Sequence, residues 1–151
     1  MSLESVKTHF KQWNRENDVM AFETSSATVE QAAETIDVSP ARIAKTLSFR
    51  GEGDHAMLIA AAGDATIDNK KFGIRLASKP ECFPRVKTGH EIGGVCPFGM
   101  AHDLDVYLDE SMVRFETVFP ACGSKNSAIE LTLEELSEFS FAKEWIAVCK
   151  A

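Results

Sequence analysis

Residues 43–62 read IAKTLSFRGEGDHAMLIAAA, and this stretch gives the strongest indication of the fold. Its first eight residues alternate between two sets of side chains, which is typical of a β-strand with two unlike faces. The run 56–62 is apolar at every position, as expected for a central strand that is covered on both faces. Residues 51–54 contain two glycines and an aspartate, so they predict a hairpin turn between the two strands.

Lys45 shares one face of the first strand with the apolar Leu47 and Phe49. An ammonium group is costly to bury, and it almost never lies fully buried without a partner. We therefore expect Lys45 either to line a pocket or to extend its charged end into solvent at a strand end.

The rest of the chain predicts one mixed α+β domain that spans residues 1–151. Apolar residues recur at helical spacing over residues 3–16, and capping patterns begin further helices near residues 28, 68, 78 and 132. Short apolar runs predict additional strands at 19–22, 106–108, 117–119, 128–131 and 145–149, with another strand beginning at Val95.

Composition is ordinary for a globular protein, with 44% hydrophobic and 26% charged residues. No apolar run approaches the ~20 residues needed to cross a bilayer, and the first residues lack the features of a signal peptide. The cysteines form no C-x-x-C pair, so we expect reduced thiols in a cytoplasmic protein that binds no metal or other cofactor and contacts no membrane.

The formal net charge of −7 argues against a protein that binds DNA or RNA regardless of sequence, which normally carries a basic face. Charge is unevenly distributed, however. A basic strip at residues 70–87 contains six basic residues and one acidic residue, whereas residues 130–144 contain five glutamates and one lysine. Such runs are usually solvated surfaces, but the basic strip could also contact a phosphate backbone.

A glycine-rich stretch follows the basic strip: residues 88–99 read TGHEIGGVCPFG, with four glycines and one proline. Glycine tolerates positive φ and lets another backbone or a ligand approach closely. The stretch is therefore either a tight connection between core elements or a loop shaped around a ligand. A second loop of small polar residues, 120–126, follows later in the chain.

Three kinds of side-chain chemistry are weakly indicated near these loops. Cys96 would need a lowered pKa to act as a nucleophile, for example beside His90 or His102. The same histidines, with Asp103 and Asp105, lack the helical spacing of a common metal site. The glycines match neither the P-loop nor the dinucleotide-binding pattern.

A fourth chemistry requires no nucleophilic side chain. Backbone N–H groups at Gly93, Gly94 and Gly123 could stabilise the developing charge on a substrate carbonyl, while Lys45 holds an anionic part of the substrate. This arrangement suits a substrate that is already activated, such as an ester.

Three motifs together resemble the YbaK family, the free-standing relatives of the editing domain inserted in bacterial prolyl-tRNA synthetases. They are Lys45 within RIAKTL at residues 42–47, the pattern G-x-x-x-G-G-V-x-P-x-G at residues 89–99, and CGS at residues 122–124 before IEL at residues 129–131. The likeness covers about residues 20–140. It implies a mixed, barrel-like β-sheet flanked by helices, and hydrolysis of the ester bond of mischarged aminoacyl-tRNA.

The resemblance also implies roles for individual residues. Lys45 matches a lysine expected to hold the terminal nucleotide, and a substrate hydroxyl or thiol is expected to assist attack by water. We expect the catalytic groups to be Lys45, Gly94 and Gly123, and the substrate-binding groups to be Gly93, Val95, Cys96, Pro97, Gly99, Ser124 and Phe49. Cys96 and His90 depart from residues common in the family, which leaves the amino-acid preference open.

The main hypothesis is a trans-acting deacylase that removes a small amino acid, such as Ala, Ser, Thr or Cys, from the acceptor end of tRNA. A synthetase pocket discriminates a missing methylene by only about 1–3 kcal/mol, so small amino acids require separate hydrolysis. An acidic protein can bind tRNA if the basic strip contacts only the acceptor end. Alternatively, it can bind a synthetase that holds the tRNA. The alternatives are a non-catalytic module that binds tRNA or a synthetase, and a hydrolase that depends on Cys96.

Overall fold

The computed structural model of the chain describes residues 3–23, 28–50, 56–76, 96–99, 104–124 and 126–150. The α-helices in these ranges are α1 (Leu3–Phe10), α2 (Val29–Ile36), α3 (Asn69–Leu76) and α4 (Leu133–Phe139). The strands are β1 (Met20–Ala21), β2 (Ile43–Arg50), β3 (Ala56–Ala62), β4 (Asp105–Asp109), β5 (Thr117–Pro120), β6 (Ser127–Ala128), β7 (Leu131–Thr132) and β8 (Glu144–Ile146). No described helix is long and apolar enough to cross a membrane.

Side-chain caps begin three of the helices where the sequence predicts them. The Thr28 hydroxyl accepts a hydrogen bond from the Gln31 amide at the start of α2. Asp68 accepts from two amides in the first turn of α3. Thr132 and Glu135 form a reciprocal capping box at α4. Each cap satisfies backbone donors that the helix itself leaves unpaired.

The main sheet has six strands in the order β7-β5-β2-β3-β4-β8, and β1 pairs with β6 in a separate two-stranded ribbon. Strand β2 is antiparallel to β3 but parallel to β5, while β4 is parallel to both β3 and β8. The sheet is therefore mixed, and it is strongly curled into a half-barrel with helices packed against it. The expected α+β fold in one domain, with a mixed, barrel-like sheet, is confirmed.

Strand β3 lies at the centre of the sheet, between β2 and β4. Residues 57–62 are buried, as expected for a strand covered on both faces. One face of β2 places Ala44 in a core cluster that also contains Leu58, Val106 and Leu108. The other face places Phe49 in a second cluster with Ile59 and Phe72, among others. The period-two alternation of the sequence thus separates the two cores.

Three predicted elements, the helix 3–16 and the strands 128–131 and 145–149, differ from the structure by more than one residue at an end. Helix α1 ends at Phe10, because the chain passes through a short 3₁₀ turn and reaches a left-handed φ of 58° at Asn14. The predicted strand 128–131 is divided into β6 and β7. It is divided because Pro120, opposite Ile129, has no amide hydrogen to donate to the ladder. The predicted turn 51–54, the helix near 78–87 and the start of a strand at Val95 lie outside the described residues.

The predicted strand 145–149 is also shorter, since β8 ends at Ile146 and the Val148 amide donates to a side chain instead. That acceptor is Asp109, a carboxylate at the end of β4 that is 1% exposed. Its Oδ1 accepts from the Val148 amide at 2.8 Å, and its Oδ2 accepts from the Ser111 amide at 2.9 Å. Asp109 therefore joins the sheet to the C-terminal segment.

We expect Asp109→Ala to lower the free energy of unfolding by about 2–4 kcal/mol, because it leaves two backbone amides without their charged acceptor. Urea denaturation measures this change. Glu110→Ala is the matched control, since Glu110 is exposed and is expected to change stability by no more than about 0.5 kcal/mol. Equal stability of the two variants would contradict the role of Asp109.

Candidate functional site

A cleft lies along one edge of β2, at the point where β5 stops pairing with it. The β2–β5 ladder contains only two residue pairs, Ile43 with Phe119 and Ala44 with Pro120. Strand β5 ends at Pro120. From Lys45 onward this edge of β2 has no partner strand among the described residues. The cleft has a volume of about 510 Å³ and is lined by residues 45–49 of β2 and residues 65–67.

Lys45 lies in this cleft, which is one of the two alternatives that the sequence left open. Its ammonium donates to the carbonyl oxygen of Gly63 at 3.4 Å and to that of Ala65. Both carbonyls belong to the segment that follows β3, and Lys45 pairs with Ala61 of that strand. A charged group on an apolar strand face is thus accommodated by backbone acceptors at the edge of the core. Its role with a substrate stays a prediction.

The turn at Gly63 fixes the position of one of these acceptors. A Cβ atom at this residue would lie 2.0 Å from the carbonyl oxygen of Pro40 and 2.7 Å from Cγ1 of Val29. Only glycine permits so close an approach of backbone. We did not single out Gly63 from the sequence, although a Gly-Asp pair directly after a central strand is a turn signal that could have identified it.

Phe49 lies at the other end of the same five-residue segment and lines the cleft with its neighbours. It is 5% exposed, and its ring packs against that of Phe72 with the centroids 5.1 Å apart. The predicted substrate contact of Phe49 therefore depends on the small part of its ring that remains accessible. That contact stays a prediction.

The two predicted loops meet each other in the structure. Gly123 is buried with a φ of 87°, and its amide donates to Sγ of Cys96. The Cys96 thiol in turn contacts the carbonyl oxygen of Phe98, with 3.6 Å between sulfur and oxygen. The predicted backbone donor of the second loop thus already has a partner, and that partner belongs to the first loop.

Ser124 belongs to a polar network within the second loop. Its hydroxyl contacts the Ser127 hydroxyl at 2.6 Å and the side-chain oxygen of Asn126 at 3.0 Å. Asn126 also exchanges hydrogen bonds with the backbone of Phe22, next to β1. This network holds the loop against the N-terminal part of the chain, and a substrate contact of Ser124 stays a prediction.

The described part of the glycine-rich stretch is packed into the core rather than along the cleft. Cys96, Pro97 and Phe98 are buried, and Cys96 and Phe98 are in the cluster that contains Ala44. Burial raises the pKa of the Cys96 thiol to about 12, the opposite of what a nucleophilic cysteine requires. The other predicted residues of this stretch, Gly93, Gly94 and Val95, lie outside the described residues, so their roles stay predictions.

Gly99 has a packing reason to be glycine. Its φ is 56°, and a Cβ atom would lie 2.5 Å from the carbonyl oxygen of Ser5 and 2.8 Å from the amide nitrogen of Val6. Helix α1 therefore occupies the space that a side chain would need. This observation supports the tight-connection alternative at this one position, and the predicted substrate contact is not tested by it.

Only one of the four candidate metal ligands, Asp105, lies in the part of the chain that the structure describes. Asp105 pairs with Lys143 at 3.1 Å, and the other three candidates lie outside the described residues. Within the part of the chain that the structure describes, no three His, Cys, Asp or Glu side chains are placed to hold a metal ion.

The basic strip begins on α3, which follows directly after the cleft-lining residues 65–67. Lys70 and Ile74 are exposed one turn apart on this helix, with Ile74 76% exposed. Lys71 instead donates to the carbonyl oxygen of Cys149 at 3.0 Å. The remaining lysine and arginine residues of the strip either lie outside the described residues or have side chains that are not described.

We expect Gly99→Ala to destabilise the protein by about 2–4 kcal/mol, because the added methyl group both meets α1 and opposes a positive φ. Gly73→Ala is the control, since a glycine inside α3 should be neutral or stabilise the helix by up to about 1 kcal/mol when replaced. Thermal and urea unfolding of both variants measure the difference. A stable Gly99→Ala protein would contradict the packing explanation.

Comparison with known proteins agrees with this fold and with the resemblance seen in the motifs. YwhH of Bacillus subtilis, a protein without an assigned function, is 71% identical over 156 residues, which cover 99% of this chain and 98% of YwhH. An Enterococcus faecalis protein with the provisional name Cys-tRNA(Pro)/Cys-tRNA(Cys) deacylase EbsC is 24% identical over 139 residues, covering 89% of this chain and 82% of EbsC.

A solved structure provisionally described as a trans-editing enzyme for prolyl tRNA synthetase superposes with a TM-score of 0.87 at 25% identity, covering 99% of this chain and 97% of its own. The model of the family described as "Aminoacyl-tRNA editing domain" matches residues 23–139. The match covers the cleft and both glycine-containing loops, and the chain therefore belongs to the aminoacyl-tRNA editing domain family.

Proposed function

We propose that this protein is a trans-acting deacylase that hydrolyses the ester bond of mischarged aminoacyl-tRNA carrying a small amino acid such as Ala, Ser, Thr or Cys. Family membership supports aminoacyl-tRNA as the substrate. The provisional names of two similar proteins refer to the same kind of reaction.

The observation that carries the proposal is the position of Lys45 in the cleft beside β2. An ammonium group has three N–H donors, and the carbonyl oxygens of Gly63 and Ala65 occupy two of them. The third donor and the positive charge are suited to a phosphate or another anionic group of the terminal nucleotide. The apolar part of the cleft, near Leu47 and Phe49, suits the aminoacyl end.

In the proposed reaction, water adds to the ester carbonyl and the ribose oxygen leaves as a hydroxyl group. The carbonyl oxygen becomes negatively charged in the transition state, so a backbone N–H aimed at it lowers the barrier. Gly94 and Gly123 are the proposed donors. The Gly123 amide donates to the thiol sulfur of Cys96, a weak acceptor, and in the proposed reaction it exchanges this acceptor for the oxyanion. A hydroxyl or thiol of the substrate assists the attack of water.

A Cys96-dependent hydrolase is disfavoured. Its sulfur is fully buried, and with a pKa of about 12 it stays protonated at neutral pH. A thiolate nucleophile requires a nearby cation or a helix N-terminus that lowers the pKa.

The acceptor end of tRNA is the proposed partner, and α3 is the proposed place of contact. Lys70 lies exposed on this helix, close in sequence to the cleft-lining residues 65–67. A contact limited to this strip is compatible with a chain whose net charge is −7, since most of the surface can remain acidic. We also propose that an aminoacyl-tRNA synthetase binds this protein and brings it to the mischarged tRNA.

We expect Lys45→Met to reduce the rate of deacylation by about 100-fold or more, because methionine retains the apolar stem but lacks the charge. Release of amino acid from tRNAs charged with Ala, Ser, Thr or Cys measures the rate. Lys143→Met is the matched control, since it removes one positive charge from an exposed pair with Asp105 and should leave the rate unchanged.

Equal rates for wild type and Lys45→Met would contradict the role of Lys45. A wild-type protein that binds charged tRNA but hydrolyses none of the four esters would instead favour the non-catalytic module.

A further inference from the structure

The turn that follows β3 carries the two carbonyl oxygens that accept from the Lys45 ammonium. The chain turns over residues 62–65, and the Ala65 amide donates to the Ala62 carbonyl oxygen at 2.9 Å, as in a β-turn. The second and fourth residues of this turn, Gly63 and Ala65, supply the acceptors for Lys45. A displacement of the turn therefore displaces the groups that fix the position of the ammonium.

A serine hydroxyl holds the first residue of this turn. The parallel ladder between β3 and β4 ends with Ala60 beside Leu108, and β4 passes into a short 3₁₀ turn after Asp109. Beyond the end of the ladder, the Ala62 amide donates to Oγ of Ser111 at 3.0 Å. The hydroxyl thus gives a partner to the amide of a buried residue that has passed the end of the neighbouring strand.

The backbone that carries this hydroxyl is held on both sides. The Ser111 amide donates to Oδ2 of Asp109 at 2.9 Å, and this carboxylate is buried and also accepts from the C-terminal segment. The Ser111 carbonyl oxygen accepts from Nε of Arg114 at 3.1 Å. Ser111 is therefore a fixed point against which the turn after β3 is placed.

An ion pair makes a second attachment to the same turn. Asp64, the third residue of the turn, pairs with the guanidinium of Arg114. The Arg114 side chain is 50% exposed and that of Asp64 is 47% exposed. Because water screens a pair that is so exposed, it contributes little to the position of the turn. The half-buried hydroxyl of Ser111 is the stronger of the two attachments.

We propose that Ser111 is a positioning residue for the candidate site: its hydroxyl fixes the turn after β3, and the carbonyl oxygens of that turn fix the Lys45 ammonium in the cleft. The effect on catalysis rests on the proposed function. Misplacement of a substrate-holding group by about 1 Å can cost about 100-fold in rate, so a residue outside the site can control it. Ser111 lies outside the described lining of the cleft, and it acts through Lys45.

The first test is a double-mutant cycle between Ser111→Ala and Lys45→Met. Single-turnover deacylation is measured with whichever tRNA, charged with Ala, Ser, Thr or Cys, wild type hydrolyses fastest. We expect Ser111→Ala to lower kcat/KM by about 10-fold when Lys45 is present, and by less than about twofold in the Lys45→Met protein. A residue that acts only through Lys45 has nothing left to position once the ammonium is removed. Ser111→Cys retains a weaker acceptor and should lose less activity than Ser111→Ala.

Thr132→Ala is the matched control. The Thr132 hydroxyl also accepts from one backbone amide, that of Glu135 at 3.1 Å, but it lies outside the described lining of the cleft. Its removal should leave the rate unchanged, and urea unfolding checks that each variant is folded. Asp64→Asn should lower kcat/KM by less than about threefold, because the ion pair that it breaks is exposed.

The second test observes Lys45 directly and requires no tRNA. Lysine side chains labelled with ¹³C at Cε give NMR signals that report the surroundings of each ammonium, and the Lys45 signal is identified by its absence from Lys45→Met. We expect Ser111→Ala to shift the Lys45 signal, because the carbonyl oxygens that contact the ammonium move. Thr132→Ala should leave this signal in place.

The two tests distinguish failure of this inference from failure of the proposed function. An equal loss from Ser111→Ala with and without Lys45 would overturn the inference, while the deacylase itself stands. An unchanged Lys45 signal in Ser111→Ala would overturn it as well. If wild type hydrolyses none of the four esters, the proposed function fails, and the NMR experiment still decides whether Ser111 positions Lys45.

Discussion

The candidate site depends on one feature of the sheet: the ladder between β2 and β5 contains only two residue pairs. Among the described residues, β5 pairs with β2 at Ile43 and Ala44 only, and no strand pairs with that edge of β2 from Lys45 onward. The unpaired N–H and C=O groups of an exposed strand edge can pair with another chain. Proteins therefore cover such an edge, place charged side chains along it or bind a partner there. Lys45 is the first residue of that edge for which the described part of the chain offers no partner strand. The loop that leaves β5 carries the second glycine motif, so the same interruption positions both parts of the candidate site.

The segment that follows β3 forms the second wall of the cleft, with residues 65–67 facing β2. Gly63 allows the chain after β3 to turn so closely that a side chain would meet the backbone of Pro40. The turn presents two carbonyl oxygens to the Lys45 ammonium, which would otherwise lie unpaired beside apolar groups. The lysine is held by backbone rather than by a carboxylate. Its charge is therefore not neutralised by these contacts, and an anionic ligand remains attractive to it.

The two glycine motifs have more than one physical role. Gly99 is required by close packing against α1, whereas Gly123 turns the second loop so that its amide meets the Cys96 sulfur. A thiol that is buried and protonated joins the two loops without ionising. In this arrangement Cys96 is a packing residue that determines how the two loops contact each other. Any influence of Cys96 on the size of the pocket would act through the position of these loops.

Local signals account for what the sequence predicted correctly. The caps at Thr28, Asp68 and Thr132 depend on residues within three positions, and the alternation around Lys45 is visible within one strand.

The missed features depend on contacts between distant parts of the chain. Asp109 accepts from an amide 39 residues away, and Gly63 is constrained by a carbonyl 23 residues before it. The end of the β2–β5 ladder also depends on which strands become neighbours, which no single stretch encodes.

The proposed function requires that the aminoacyl end of the tRNA binds in the cleft beside β2. The most direct measurement is an NMR titration of the isotope-labelled protein with a seryl-amide analogue of 3′-amino-adenosine, which cannot be hydrolysed. Binding in the cleft should change the chemical shifts of the amides of residues 45–49 and 65–67, which line it. Changes confined to another surface, such as the groove lined by Leu133 and Trp145 beside α4, would contradict it.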